Sequence, residues 1–182
     1  AVLKTEFPDL KLLWFDQTPF EQLEALRAGL IDVAVIGQEG ALLADEFYQR
    51  CRAKLQVRVA LPTDHVLSSW ETFPLAELNA EVFIGVAETA VPGRNRWIKQ
   101  LCAKAGFRPR FAVHTSNITE TFTSIISEHA VALLPDYQEG VPPPGVTFAR
   151  LSDSWARWGL YVLRQRGRGS PAARRLVELI GR

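Results

Sequence analysis

The chain has 182 residues, of which 47% are hydrophobic and 23% are charged, and its formal net charge is +1. These values are typical of a globular chain of one domain or two small lobes, and they exclude a strongly basic field for nucleic acid over the chain as a whole. No apolar run approaches the ~20 residues that span a bilayer, and two unclustered cysteines do not form a disulfide scaffold, so we expect a cytoplasmic location.

Residues 8–37 predict a βαβ unit. Residues 10–15 and 31–37 are near-continuous apolar runs, as expected of strands in a parallel sheet that is covered on both faces. Between them, apolar residues recur at helical spacing. A unit of this kind has a right-handed crossover, which would place its helix on one face of the sheet.

The predicted helix of this unit carries its own start and stop signals. Thr18 is suited to the N-cap position, Pro19 to the first helical position, and Glu21 completes a Thr-x-x-Glu capping box. Gly29 supplies the C-terminal break. The helix is therefore expected to span residues 18–29.

Two strand pieces follow, at 47–51 and 55–61, on either side of a charged break at 52–54. Alternating apolar residues in the second piece indicate a half-buried strand. Residues 80–135 then repeat the order β-α-β-α-β, which predicts a second small parallel sheet.

The remaining segments complete two lobes. A last strand at 158–163 and a terminal helix that begins at Ser170 and Pro171 are expected to return to the first lobe. We place the crossings near Lys54 and Asp153. This division gives lobe I residues 1–53 and 153–182, and lobe II residues 54–152.

Several segments resemble the effector-binding domain of LysR-type transcriptional regulators. The first is Phe-Pro-Asp-Leu-Lys-Leu at 7–12, continued by Leu-x-x-Leu-x-x-Gly-Leu-Ile-Asp-Val-Ala-Val at 23–35. The segments at 106–109, 131–135 and 144–148 follow in the family's order and spacing. The resemblance covers the whole chain. It implies an α/β fold of two Rossmann-like lobes joined by two crossing strands, the type 2 periplasmic-binding-protein fold.

The resemblance also implies what would surround this chain. In the family, a winged helix-turn-helix and then a first strand precede this point, and that strand lies between the two strands of the opening unit. The chain has no methionine, and residues 1–6 resemble the end of a helix, so we expect a fragment that lacks both. The implied partners are a small-molecule effector, a homodimer or tetramer, and DNA through the absent domain alone, with no membrane.

In open α/β lobes, ligands bind beyond the carboxyl ends of strands, where helix N-termini point inward. Such edges are expected at 16–18, 87–89 and 115–117. Carried over by position, the resemblance implies effector contacts at Thr18, Pro19, Ala87, Glu88 and Thr89, and the third edge adds Ser116 and Asn117. Helix capping also explains Thr18, Ser116 and Asn117, and a solvated loop also explains Glu88 and Thr89.

The charge of Glu88 bears on the class of effector. A carboxylate in the predicted site disfavours a simple anionic effector unless Arg94 or the helix N-termini offset it.

Other chemistry has weaker support. Cys51 and Cys102 are expected in different lobes, and Cys102 has the pattern of a small buried apolar residue rather than of a redox sensor. His65, His114 and His129 lack metal-ligand spacing, although His114 ends a strand near the predicted site. The sequence offers no set of acid, base and nucleophile at a catalytic spacing, so we expect no enzyme, no metal and no cofactor. The competing functions are a solute-binding protein for a transporter and an enzyme on the same fold.

Family members dimerise through antiparallel contacts between lobe I and the partner's lobe II. The resemblance therefore implicates the helix at 18–29, with its preceding strand, against the helix at 94–105 of a second copy. Trp14 and Trp97 are candidate interface residues, and core packing is the alternative for both.

Overall fold

The computed structural model describes residues 2–37, 43–138, 140, 142–167 and 169–180. The α-helices are α1 (Val2–Glu6), α2 (Pro19–Ala28), α3 (Arg94–Lys104), α4 (Ile118–Ser127) and α5 (Pro171–Ile180). The strands are β1 (Ala34–Gly37), β2 (Phe47–Pro62), β3 (Thr72–Phe73), β4 (Val82–Val86), β5 (Arg110–Thr115), β6 (Ala132–Pro135), β7 (Val146–Leu151) and β8 (Arg157–Gln165). Short 3₁₀ helices lie at Val66–Ser69, Leu75–Ala80 and Asp136–Gln138. No helix in these ranges has the length and apolarity that a membrane crossing requires.

The chain divides into two compact units. Unit 1 comprises Ala1–Lys54 and Gly159–Arg182, and unit 2 comprises Leu55–Trp158. The first boundary lies one residue after the predicted crossing, and the second lies six residues after it. The second differs because Ala156 and Trp158 are buried in the hydrophobic core of unit 2.

In unit 1, α2 packs on an antiparallel pair formed by β1 and β8, in which Ala34 lies opposite Leu163. The predicted capping box is confirmed: the Glu21 amide donates to Thr18 Oγ1, and the Thr18 amide donates to the Glu21 carboxylate at 2.8 Å. Gly29 ends the helix in the left-handed conformation, with φ of 70°. The core of the unit contains Leu23, Leu26, Ala34, Ile36, Leu43, Phe47 and Leu163.

The strand predicted at residues 10–15 is wrong. The segment has no regular secondary structure and forms no ladder with any described strand, and Leu13 and Trp14 are 77% and 81% exposed. An apolar run at this position has no neighbouring strand with which to exchange backbone hydrogen bonds, so the periodicity alone is not sufficient to form a strand.

An apolar groove of about 360 Å³ lies between residues 10–15, β1 and α5. The side-chain amide of Gln22 spans it at one end, because it donates to the Gln17 carbonyl at 3.0 Å and accepts from the Val35 amide at 3.1 Å. Gln17 Oε1 is buried and has no hydrogen-bond partner among the described residues. The groove lies where the family resemblance implies a further strand.

The parallel β-α-β-α-β arrangement predicted in unit 2 is confirmed. β4 pairs in parallel with β5, and Phe83 of β4 bridges in parallel to Val131, immediately before β6. β6 and β7 both pair antiparallel with β2, and β3 pairs in parallel with β7. β4 therefore lies between β5 and β6.

The predicted break at 52–54 is wrong, since β2 runs without interruption from Phe47 to Pro62. Arg52 and Lys54 are exposed, so their charged side chains are compatible with an extended backbone. Cys51 is exposed within this strand rather than at its end.

Trp97 is a core residue, and its predicted role in a dimer interface is therefore wrong. Its side chain is 6% exposed, its ring meets Trp158 edge-on at 4.7 Å between centroids, and its Nε1 donates to the Arg157 carbonyl at 3.1 Å. Trp14 is exposed, so a role for Trp14 between copies stays a prediction.

Two Leu→Ala substitutions in unit 1 test this division between core and surface. Leu26 is fully buried, so Leu26→Ala should lower the free energy of unfolding by about 2–5 kcal/mol. Leu13 is mostly exposed, so Leu13→Ala should change it by less than about 0.5 kcal/mol. Chemical denaturation followed by circular dichroism measures both. Equal losses in the two variants would contradict the placement of residues 10–15.

Candidate functional site

Three parallel strands of unit 2 end at one side of the sheet. Val86 of β4 lies opposite Thr115 of β5, and the Ala87 amide donates to the Thr115 carbonyl at 2.8 Å. On the other side of β4, Phe83 lies opposite Val131, so Leu133 comes level with the end of β4. We call residues 86–89, 115–117 and 133–135 the carboxyl edge of unit 2.

Asn95 of α3 fixes the end of β4. Its Oδ1 accepts from the Val86 amide at 2.9 Å, and its Nδ2 donates to the Val86 carbonyl at 2.6 Å. The side chain thus pairs with Val86 as a neighbouring strand would, and Asn95 is 8% exposed. This pairing joins the N-terminal turn of α3 to the carboxyl edge, which keeps the loop between them short.

Three predicted ligand contacts, Ala87, Glu88 and Thr89, lie in this loop. The Glu88 carboxylate accepts from the Gly93 amide at 2.6 Å, directly before α3, and lies 3.5 Å from Asn95 Nδ2. Much of its charge is therefore directed at the N-terminus of α3, where negative charge is favourable. Thr89 is exposed, and its hydroxyl has no partner among the described residues.

Asn117 is the N-cap of α4. Its Oδ1 accepts from the Glu120 amide at 2.9 Å, and its Nδ2 donates to the Glu120 carboxylate, which also accepts from the Ser116 amide at 2.7 Å. The capping explanation for Asn117 is confirmed. The Ser116 side chain is exposed and has no partner in the described part of the chain.

Two buried hydroxyls, of Thr115 and Thr121, are hydrogen-bonded to each other at the end of β5. Thr115 Oγ1 and Thr121 Oγ1 are 2.7 Å apart, and Thr115 Oγ1 also donates to the Gly85 carbonyl at 3.2 Å. Both threonines are 4% exposed. The pair ties α4 to the ends of β4 and β5, so that the loops at 87–89 and 115–117 are neighbours.

Thr18 and Pro19 belong to unit 1, at the start of α2. The Thr18 hydroxyl accepts from the Glu21 amide and donates to the Glu21 carboxylate at 3.0 Å. These hydrogen bonds lower the pKa of Glu21, which favours the ionised carboxylate that the capping box uses. The structure thus brings together the five predicted site residues of unit 2, and it shows Thr18 and Pro19 as helix-start residues of unit 1.

Arg94 also lies in this region, although it was not among the predicted ligand contacts. It is 4% exposed, and its guanidinium donates to the Leu133 carbonyl at 2.7 Å. The guanidinium carbon lies 4.6 Å from the Trp97 ring centroid and 4.2 Å from that of Trp158. No carboxylate among the described residues pairs with it. In the sequence, Arg94 stood out as the arginine directly after the helix-capping Gly93 and as a charge that could offset Glu88.

The cysteines and histidines form no reactive centre in the described ranges. Burial raises the pKa of the Cys102 thiol to about 12, which makes it inert, and Cys51 lies in unit 1. His65 is buried and caps the 3₁₀ helix Val66–Ser69, because its Nδ1 accepts from the Leu67 amide at 3.1 Å. His114 is exposed beside Phe111. No group of three or more possible metal ligands occurs among the described residues.

Removal of the Asn95 amide should disturb the end of β4. Asn95→Ala leaves the Val86 amide and carbonyl without their partner and should lower the free energy of unfolding by about 1–3 kcal/mol. Asn79→Ala is the matched control, because Asn79 is exposed and donates only to the nearby Ala76 carbonyl. Its loss should stay within about 0.5 kcal/mol. Denaturant titration measures both, and equal losses would show that Asn95 does not fix the strand end.

The chain matches the family model described as LysR substrate binding domain over residues 1–182. The HTH-type transcriptional regulator CatR of Pseudomonas putida is 25% identical to it over 174 residues, which are 94% of this chain and 58% of CatR. The chain thus spans little more than half of that relative.

Two solved structures share its fold. The effector-binding domain of BenM with its effector benzoate matches with a TM-score of 0.75 at 16% identity, over 98% of this chain and 81% of that chain. The effector-binding domain of QuiR in complex with shikimate matches with a TM-score of 0.78 at 13% identity, over 98% of this chain and 85% of that chain. The chain therefore belongs to the LysR substrate-binding domain family and has that family's type 2 periplasmic-binding-protein fold.

Proposed function

We propose that this chain is the effector-sensing and dimerisation part of a LysR-type transcriptional regulator. The observation that carries the proposal is the carboxyl edge of unit 2, at the end of three parallel strands and beside the N-termini of α3 and α4. Open α/β sheets bind ligands at such edges. Membership of the LysR substrate-binding domain family supports the same place.

The proposed contacts use the groups that capping leaves available. In unit 2 these are the hydroxyls of Thr89 and Ser116, together with backbone groups of residues 87–89 and 116–117. From unit 1, the proposal adds Thr18 and Pro19, on the strength of the family resemblance.

For a signal to result, the effector must bind two conformations of the protein with different affinity. We infer that these conformations differ at the crossing strands β2 and β8, which pass through the unit boundaries. A dimer would convert the difference into a change in DNA binding by a separate domain. CatR, which is named as a helix-turn-helix regulator, supports DNA as the final partner. A cytoplasmic location follows from this role and stays a prediction.

Substitutions at the carboxyl edge test the proposal. Thr89→Ala and Ser116→Ala each remove a hydroxyl that makes no hydrogen bond within the described chain, so stability should be unchanged. Affinity for an effector found by a thermal-shift screen of metabolites should fall about three- to tenfold, the value of one hydrogen bond. Isothermal titration calorimetry measures it.

Thr123→Ala is the matched control, because Thr123 is exposed and donates only to the Thr119 carbonyl of its own helix. Its affinity should equal that of the unmodified chain. If the control weakens binding as much as the two edge variants do, the carboxyl edge is not the binding site. If no metabolite of any charge raises the melting temperature, effector sensing itself is wrong.

A further inference from the structure

Arg94 is a buried cation for which the described part of the chain supplies no anion. Its one hydrogen bond goes to the neutral Leu133 carbonyl, and the rings of Trp97 and Trp158, which meet each other edge-on, both lie against it. A guanidinium has five N–H donors, so the protein leaves several of them unused. Burial of an ion without a partner is unfavourable, and the cation–π contacts with two indole rings offset only part of the lost hydration.

The place of this charge is the carboxyl edge of unit 2. The bridge between Phe83 and Val131 sets β6 in parallel beside β4, and Leu133 lies two residues beyond it. The Leu133 carbonyl that accepts from Arg94 is therefore level with the end of β4, where Ala87 and Glu88 follow. Arg94 itself is the first residue of α3, so the N-terminal dipole of an 11-residue helix adds to its charge.

The acidic groups nearby are already engaged. The Glu88 carboxylate accepts from the Gly93 amide, and the Glu120 carboxylate accepts from the Ser116 amide and from Asn117 Nδ2. The Asp136 carboxylate accepts from the Gln56 amide at 3.3 Å. None of these carboxylates forms an ion pair with Arg94 in the described chain. Burial lowers the pKa of Arg94 to about 10, so the guanidinium keeps its proton at neutral pH.

We propose that the effector carries a carboxylate and that Arg94 is the cation that binds it on the unit 2 side. This inference rests on the proposed function, since it names the chemical class that the same site takes. Unused guanidinium donors fit a carboxylate in a two-point contact, and Trp97 and Trp158 pack against the guanidinium on one side. The carboxylate supplies the anion that Glu88, committed to the start of α3, does not.

The test compares carboxylates with their uncharged amides on the whole chain. Benzoate with benzamide is the first pair, followed by a panel of small aliphatic and aromatic carboxylates, each with its primary amide. The carboxylate that binds best should bind at least about tenfold more tightly than its amide, because a charge-assisted pair is worth more than 1.4 kcal/mol. Calorimetry at constant ionic strength measures this ratio, which a purely structural role of Arg94 would leave unchanged.

Two variants assign the preference to Arg94. Arg94→Gln removes the charge, and the ratio should fall to within about twofold. Arg94→Lys keeps the charge and should retain part of the preference, which covers the case in which Arg94→Gln fails to fold. Arg108→Gln is the control, because Arg108 is an exposed cation of the same unit, and its ratio should match that of the unmodified chain.

The outcomes separate this inference from the proposed function. If uncharged compounds bind and no carboxylate exceeds its amide, effector sensing stands and the role of Arg94 is wrong. The role is also wrong if folded Arg94→Gln keeps the tenfold preference, or if Arg94→Lys loses all of it. If nothing in either set binds, the carboxylate assignment is wrong, and effector sensing is then decided by the screen of metabolites of every charge.

Discussion

The register between β4 and β5 is the constraint on which the candidate site depends. It places Val86 opposite Thr115, and the ladder continues one step further, from the Ala87 amide to the Thr115 carbonyl. Because both strands run in the same direction, both following loops leave from the same side of the sheet. Asn95 and the two buried threonines then attach the starts of α3 and α4 to these strand ends. The loops between strand and helix thus have little freedom, and their polar groups stay at fixed positions.

Local signals in the sequence predicted local structure well. The capping box of Thr18 and Glu21, the helix end at Gly29 and the N-cap at Asn117 each depend on residues a few positions apart. The order of strands and helices in residues 80–135 was also readable, because each strand is a short apolar run between helical patterns. Recognition of the family followed from the order of these segments rather than from any single motif.

Contacts between residues that are far apart in the chain could not be predicted from the sequence. The strand predicted at residues 10–15 depended on a neighbour that apolar periodicity does not supply, and the place of Trp158 depended on the core of unit 2. Asn95 and Arg94 look like ordinary polar residues at the start of a helix. Their roles arise because Val86 and Leu133 come close in the folded chain. An acidic residue such as Glu88 is similarly ambiguous in the sequence, since only its hydrogen bond to the Gly93 amide shows where its charge is directed.

The amide of Gln22 in unit 1 has a consequence for the groove beside it. Its hydrogen bonds to the Gln17 carbonyl and the Val35 amide have the pattern that a peptide group of an intervening strand would make. For a strand that enters the groove, the Val35 amide and the Gln17 carbonyl are therefore already hydrogen-bonded to the Gln22 side chain. A strand that pairs with β1 at Val35 would have to displace this side-chain hydrogen bond, so its addition would be coupled to a change in the Gln22 rotamer.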